Sequence, residues 1–494
     1  MQAPNPKENA ILKADAVKFV TVFRNQLPKD VFLNLLPALI KFLHTDTRVI
    51  HTYAAWCVER FLSIKDDKET RFTAQDLGPH VEKLFGALFN TLSFKESQEN
   101  EYIMHTIMRI TAVLKDQMGS VIQEYISTLS KILARVCKNP VNPSFNHYLF
   151  ESYATVIRFN SRYNSQLESS LMPVFQEILG QNVAEFTPYV FQLMALLLEQ
   201  QQPPLPTHYQ QIFPNLLNAA LWDNTGNVPG IVSLLHSYAK KAPEYFTKEH
   251  IQKYLELIAA LISSVKLDHE GFRMANTLIE FLPLNTWENH LSTILKMLFN
   301  RLQTKKTAKF TRMIVIFFSV FALKHGVDTM ISQVENIQNG LFSNVARVWF
   351  DGVHHVHGNA QRKLCAAALT VATTRSQFIM QHDLWGQFLL ENVKLLEIQQ
   401  DDKANFVTSV GGDISEGFKV KFNQLQFAAK DEMSLTKDIQ DPKQYLAQSL
   451  NQALQNNNFR PLIQTKFASL DGNVQQAVAR YFHIAGLNPT ILKG

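Results

Sequence analysis

The sequence predicts an all-α chain of stacked helix pairs, and three observations carry that prediction. Apolar residues recur at helical spacing along nearly all of the 494 residues, and the apolar stripes return at a nearly constant interval. The 18 glycines and 19 prolines are few for this length, which argues against a turn-dense all-β fold that needs Gly or Asn at many positive-φ positions. The chain is too long for one ordinary core of roughly 100–200 residues. Its 46% hydrophobic and 18% charged residues exclude a disordered or fibrous chain, because enough apolar surface is available to offset the ordering entropy.

The first clear stripe is Val31, Leu35, Leu36, Leu39, Ile40 and Leu43, one face of a helix. Similar stripes begin near Leu84, Ile126, Leu171 and Ile212. With Leu33, His80, Tyr125, Leu171, Ile212, Tyr254 and His290 as approximate starts, successive spacings are 47, 45, 46, 41, 42 and 36 residues. Between them lies a second helical stripe each time, at 49–62, 102–114, 148–159, 186–198, 231–238 and 272–282. A two-helix unit with this period is the signature of HEAT or armadillo arrays, in which one pair cannot bury its apolar face without its neighbours. The predicted fold is therefore an all-α HEAT-repeat solenoid (α-α superhelix) of about ten helix pairs.

Finer marks accompany the period. Pro37, Pro173 and Pro214 each follow an apolar pair and precede an apolar stripe, and they read as helix-start markers, since Pro in a first turn loses no intrahelical bond. The linkers Asp46-Thr47-Arg48-Val49 and Asp471-Gly472-Asn473-Val474 resemble the HEAT consensus of Asp followed by Val three residues later. Each Asp is expected to cap the next helix, with Arg48 bracing an acidic group in the adjacent repeat; the second copy, lacking Arg, is the weaker match.

The rhythm breaks between Ile398 and Asp441, where Asp401-Asp402, Gly411-Gly412-Asp413, Gly417 and Asp441-Pro442 interrupt it. The expected organisation is a HEAT-repeat array over 1–397, an acidic inserted loop over 398–441, and C-terminal capping helices over 442–494. The capping helices are read at Tyr445 to Leu454 and Val474 to Ala485, separated by the polar run Gln455 to Asn458.

Signals for catalysis are missing from the sequence. It contains no GxxxxGK[ST], GxGxxG or GxSxG string, so no phosphate-cradling loop or nucleophile elbow is signalled. His354, His355 and His357 point in different directions on a helix and have no acidic or Cys partner at ligand spacing, so a polar surface cluster is expected there rather than a metal. Cys57, Cys137 and Cys365 lie far apart with no paired spacing, which offers no disulfide framework or Cys-based zinc site and fits a reducing compartment; Cys57 and Cys137, on apolar helix faces, are expected to be buried and inert. The expectation is a chain that is not an enzyme and carries no cofactor and no metal. The N-terminal Met1 to Glu8 has no apolar core following a basic patch, so no secretory signal is expected. The longest apolar run, Met313 to Leu323, is about half of the roughly 20 residues a membrane span needs, so no membrane partner is expected either.

Charge distribution marks two candidate partner-binding segments. From Asn289 to Val327 there are seven basic residues and no Asp or Glu, with Lys305, Lys306, Lys309 and Arg312 at the centre. The inserted loop has the opposite sign, with Glu397, Asp401, Asp402, Asp413 and Glu416 against Lys403 and Lys419. The first suits an acidic surface or a phosphate backbone, or is a solvated helix connection; the second suits a basic segment, or is a flexible insertion.

Several strings resemble a known family: Phe23-Arg24-Asn25-Gln26, His51-Thr52-Tyr53-Ala54-Ala55, Glu99 to Met104, Pro143 to Tyr148, Phe186 to Gln192, Thr225-Gly226-Asn227, Thr307 to Phe310, Phe422 to Ala428 and Leu446 to Leu450. In this order they are similar to the C-terminal half of the cellular apoptosis susceptibility family, karyopherin-beta exportins built of HEAT repeats. The resemblance implies a scaffold that binds importin-alpha together with Ran-GTP in the nucleus and shuttles between nucleus and cytoplasm, releasing both after GTP hydrolysis on Ran. Family members are about twice as long and commonly acidic, whereas this chain carries a formal net charge of +5; that weakens any importin-alpha contact built on bulk negative potential. A helical-repeat nucleic-acid binder using Lys305, Lys306, Lys309 and Arg312 is the competing reading. It is disfavoured because Phe310, Phe317, Phe318 and Phe321 fall in an apolar run, where core packing rather than base stacking is expected.

Overall fold

The computed structural model describes residues 9–67, 69–398, 424–429 and 434–492. Helices dominate: among the described residues the only strands are the two-residue partners Lys65–Asp66 and Glu69–Thr70. The fold is the HEAT-repeat type that the periodicity predicts.

The predicted stripes fall on helices. The first helices of successive pairs are Lys29–Leu43, Val81–Thr91, Ile122–Val136, Asn164–Gly180, Thr207–Leu216, Lys248–Ser263 and Leu291–Thr304. The second helices are Arg48–Leu62, Glu101–Leu114, Pro143–Phe159, Thr187–Gln200, Val228–Lys241, Asp268–Phe281 and Ala308–His325. Several starts are fixed by side chains that accept an orphan N–H. Asn142 takes that of Phe145, Thr247 that of His250, and Thr307 that of Phe310.

The prolines correct the sequence reading. Pro37, Pro173 and Pro214 lie inside the first helices rather than at their starts. All three are exposed, so the carbonyl that each leaves without an intrahelical partner faces water, which removes most of the cost of an interior proline. The Asp linkers are a second correction. Asp46 does not sit at the cap position; Thr47 does, without a side-chain cap bond. Asp471, in the copy with the weaker match, is the N-cap of Gly472–Ile484 and accepts the Asn473 N–H at 2.8 Å.

Two compact units emerge, one formed by residues 9–202, 224–237 and 424–429, the other by 203–223, 238–398 and 434–492. In the first, the second helices stack in sequence order, Arg48–Leu62 on Glu101–Leu114, that on Pro143–Phe159, and that on Thr187–Gln200. In the other, Asp268–Phe281, Ala308–His325, Asn359–Arg375 and Pro442–Leu454 do the same. Second helices are the core. Every residue from Thr187 to Leu198 is buried, and each fully buried Leu or Phe among them contributes about 1.5–3 kcal/mol relative to exposure.

The period also appears in the polar contacts. His51 hydrogen-bonds Ser97 Oγ, 46 residues on; Asn100 donates to Thr52, 48 back; Thr106 donates to the Ala55 carbonyl, 51 back; and Ser237 donates to the Ala195 carbonyl, 42 back. In the second unit Lys309 meets Asp268, 41 back, and His325 meets the Ile279 carbonyl, 46 back. Each bond joins one repeat to the next. The His51 ring is held below its ordinary pKa, chiefly by burial, and serves as a neutral bridge.

Close helix approach gives a test. A Cβ on Gly230 would sit 2.8 Å from the Pro188 carbonyl oxygen and 3.0 Å from Phe191 Cβ, and a backbone atom cannot rotate away. Gly230→Ala is expected to lower the thermal unfolding midpoint, at a cost of about 1–3 kcal/mol from overpacking, whereas Gly180→Ala, with nothing within 4 Å, is expected to leave it unchanged or raise it. Differential scanning calorimetry of the two variants checks this.

Candidate partner-binding surface

The structure separates the four basic candidates. Lys305 and Lys306 are exposed on the short connection between Leu291–Thr304 and Ala308–His325. Lys309 is committed within the fold. Its ammonium donates to Asp268 Oδ1 at 2.6 Å and lies 3.2 Å from His269 Nδ1, and Asp268 is 1% exposed. Arg301, itself buried, lies 3.9 Å from the other Asp268 oxygen and 4.8 Å from the centre of the Phe310 ring. Arg312 is half-buried. Thus, within the basic run, Lys296, Lys305, Lys306 and Lys324 face solvent, while Lys309 hydrogen-bonds, and Arg301 lies near, a buried acid at a helix N-terminus, where the backbone amides also favour negative charge. The neighbouring Phe310, Phe317, Phe318 and Phe321 are each at most 1% exposed, so none offers a face on which a base stacks.

Asp401, Asp402, Asp413 and Glu416 lie outside the described residues. Glu397, at the edge of the acidic segment, is engaged by Tyr481, Lys443 and Arg480, at 2.6, 3.1 and 3.4 Å. These partners hold its carboxyl below the usual range, the Tyr481 hydrogen bond first among them. Further along, Leu425, Phe427 and Ala428 are buried against helices of the first unit, and Ser434 hydrogen-bonds Glu280 in the second unit. The segment that breaks the helical rhythm therefore anchors on helices at both places.

A groove that the sequence did not signal lies on the second helices of the first unit. It encloses about 580 Å³ and is lined by Tyr53, Trp56, Tyr102, His105, Tyr148 and Glu59 among others. His105 stacks on Tyr148 with centroids 4.0 Å apart and planes at 5°, and Tyr53 meets Trp56 edge-on at 5.9 Å. Burial, with Arg109 and Arg60 nearby, holds His105 well below its ordinary pKa, so its ring is neutral at physiological pH. Glu59, beneath, is 2% exposed and pairs with Arg109 at 3.1 Å across one repeat. The surface thus combines aromatic faces with the charged Lys18, Arg60 and Glu101 at its lining. Its residues come from four helices, Lys18 of Ala10–Val22 joining those of three second helices, which is why no local motif betrays it.

The other sequence candidates are structural. Cys57, Cys137 and Cys365 are buried, and burial pushes the Cys57 and Cys365 thiols up to about 12, far from a reactive thiolate. His354 pairs with Glu391, and among the described residues no group of three or more His, Cys, Asp or Glu is arranged to hold a metal. Among them, too, no single helix is long and apolar enough to cross a membrane.

These features define a HEAT-repeat scaffold that presents rows of helices, grooves and exposed charges. The family model described as CAS/CSE protein, C-terminus, matches residues 59–481, and the one described as Cse1 matches residues 1–58; the chain belongs to the CAS/CSE protein family. It is 37% identical to Exportin-2 of Oreochromis niloticus over 470 residues, 91% of this chain and 48% of that protein. Exportin-2 of Homo sapiens is 35% identical with the same coverage. The chain thus spans about half the length of these relatives. Among solved structures, the exportin Cse1 in its cargo-free, cytoplasmic state superimposes with a TM-score of 0.81 at 24% identity, covering 98% of this chain and 50% of that one. Importin Beta follows at 0.65 and 11%, covering 99% and 57%.

The Lys309 geometry generates a prediction. Lys309→Ala leaves Asp268 with only the more distant Arg301, and is expected to destabilise the second unit by about 1–2 kcal/mol, less than for a fully buried pair because the ammonium is partly exposed. Lys305→Ala with Lys306→Ala is expected to change stability by less than about 0.5 kcal/mol. Urea unfolding followed by circular dichroism separates the two outcomes.

Proposed function

We propose that the chain acts as the C-terminal portion of a nuclear export receptor scaffold that binds importin-alpha together with Ran-GTP and recycles importin-alpha to the cytoplasm, shuttling between the two compartments. The observation that carries this reading is the family match across residues 59–481, supported by relatives named Exportin-2. The role is non-catalytic. Energy enters through the partner's nucleotide state, and the scaffold's contribution is differential affinity for partners presented singly or together.

In this reading Lys305 and Lys306 meet an acidic surface of Ran, and Asp401, Asp402, Asp413 and Glu416 receive a basic segment of importin-alpha. Arg312 supports the first contact from the adjoining helix. Lys309 contributes chiefly by holding Asp268. Exposed charges of this kind steer association and set its salt dependence more than its ultimate tightness.

Titration calorimetry of the 494-residue chain at two ionic strengths tests the reading. Importin-alpha is expected to bind weakly, and more weakly at higher salt. Asp401→Lys with Glu416→Lys is expected to reduce that affinity most at low salt, while Lys305→Glu with Lys306→Glu acts mainly on Ran-GTP. Cooperativity in a scaffold comes from surface shared by both partners, with a coupling of about 1–3 kcal/mol. A chain spanning half of its relatives' length is expected to show less. No importin-alpha binding at either ionic strength contradicts the proposed function; tight, salt-independent binding that survives both reversals contradicts the charge assignment.

A further inference from the structure

Pro143–Phe159 and Thr187–Gln200 are complete as helices, yet their packed faces carry polar groups that helix stacking does not require. Glu151 is fully buried and Gln192 is 7% exposed. Arg158 follows Glu151 by seven residues and Phe159 by eight, so the three lie on one face. What they hold is main chain from a segment more than 230 residues away. Leu425 N–H donates to Gln192 Oε1 at 2.9 Å, and Gln426 and Phe427 N–H donate to the two Glu151 oxygens at 2.5 and 3.2 Å. Arg158 Nη1 donates to the carbonyls of Phe427 and Ala429 at 3.2 and 2.9 Å.

Three consecutive amides and two carbonyls are thus read by three side chains. The segment itself is a turn, closed by the Ala429 N–H on the Gln426 carbonyl at 3.1 Å. Leu425 and Phe427 are buried at 3% and 4% exposure, and the Phe427 ring meets Phe159 edge-on at 6.3 Å. Gln424, Gln426 and Ala429 are exposed. These contacts to the helices come from helix side chains, so departure of the turn breaks no helical ladder. A buried carboxyl is costly unless hydrogen-bonded. Burial lifts the Glu151 pKa to about 7 even with two amides acting against the rise, so the site has a strong requirement for donors, and the turn is what meets it. His147 Nε2 lies 3.7 Å from Glu151, and Tyr189 also faces it closely enough to sense its charge.

We propose that Glu151, Gln192 and Arg158 form a peptide-docking site that reads main chain, and that Leu425–Ala429 is its resident occupant, detachable as an intact turn. The ligand class is an uncharged turn-forming peptide with large apolar side chains at its first and third positions and a small residue at the fourth. A partner segment with that chemistry competes with the chain's own turn. The proposal is independent of the export reading, since it rests on contacts inside the first unit alone.

Hydrogen exchange by mass spectrometry on the full chain tests it in two arms. Glu151→Gln keeps the side-chain shape but sets an amide NH2 where a carboxylate oxygen accepts an N–H. The exchange of fragments covering 424–429 is expected to accelerate at least tenfold, while Pro143–Phe159 and Thr187–Gln200 keep their protection. In the second arm the unaltered chain is mixed with the capped hexapeptide Gln-Leu-Gln-Phe-Ala-Ala. At about 10 mM it exceeds a millimolar effective concentration for a segment of the same chain, and is expected to accelerate exchange of the chain's own turn at least twofold. The same peptide with Asp replacing Leu and Phe is expected to have no effect. Unchanged exchange in the Glu151→Gln variant overturns the assigned contacts. Loss of protection in Pro143–Phe159 together with the turn makes the segment part of the core and overturns detachability, as does failure of the hexapeptide to compete.

Discussion

A helix pair in this chain cannot bury its apolar face alone, and every other feature of the structure follows from that constraint. The second helices meet the requirement by stacking in sequence order, so helices such as Thr187–Gln200 are apolar almost all round. Stacking then imposes its own demand. Polar groups caught between second helices need partners, and the nearest available ones lie one repeat away in the chain. Glu59 takes Arg109, Asp268 takes Lys309, and His51 takes Ser97. These bonds repeat the sequence period and fix which helix lies beside which, because a buried polar atom without a partner costs about 1–3 kcal/mol.

The same accounting decides what is available to partners. Charges spent on buried neighbours, such as Lys309, Arg109 and Glu397, shape the scaffold rather than its encounters. Those on connections, Lys305 and Lys306, stay exposed to solvent. Glu151 departs from the rule, since its donors come from a distant segment of chain rather than from the adjacent repeat. This is the kind of local exception at which repeat architectures acquire function, because the scaffold tolerates it without changing the stack.

Most of the fold is legible in the sequence because stacking leaves a periodic record. Spacings of 36 to 47 residues between stripes correspond to inter-repeat bonds at 41 to 51. Legibility fails where a residue's role is settled by solvent exposure or by contacts distant in sequence. Pro37, Pro173 and Pro214 read as starts because an interior proline costs a bond, but that bond is lost on the exposed side. Lys309 reads as part of a basic patch because Asp268 lies 41 residues back. The aromatic groove is assembled from four helices. Glu151 did leave a signal, an acid inside the apolar run Tyr148 to Ala154 with Arg158 two turns on, but nothing in the sequence places residues 425–427 against it.

The claim that buried pairs one period apart register adjacent repeats is tested most directly by a double-mutant cycle on Glu59 and Arg109. Native-state hydrogen exchange of the Glu101–Leu114 amides reports the local stability of Glu59→Gln, Arg109→Met and the double variant. Each single change removes the direct hydrogen bond from a buried group, Glu59 keeping only the longer contacts to Arg60 and His105 at 3.5 Å, so the predicted result is a double variant less destabilised than the sum of the singles, with a coupling of at least about 1 kcal/mol. Additivity within about 0.3–0.5 kcal/mol contradicts the account, since it means the two repeats are held in place without the pair.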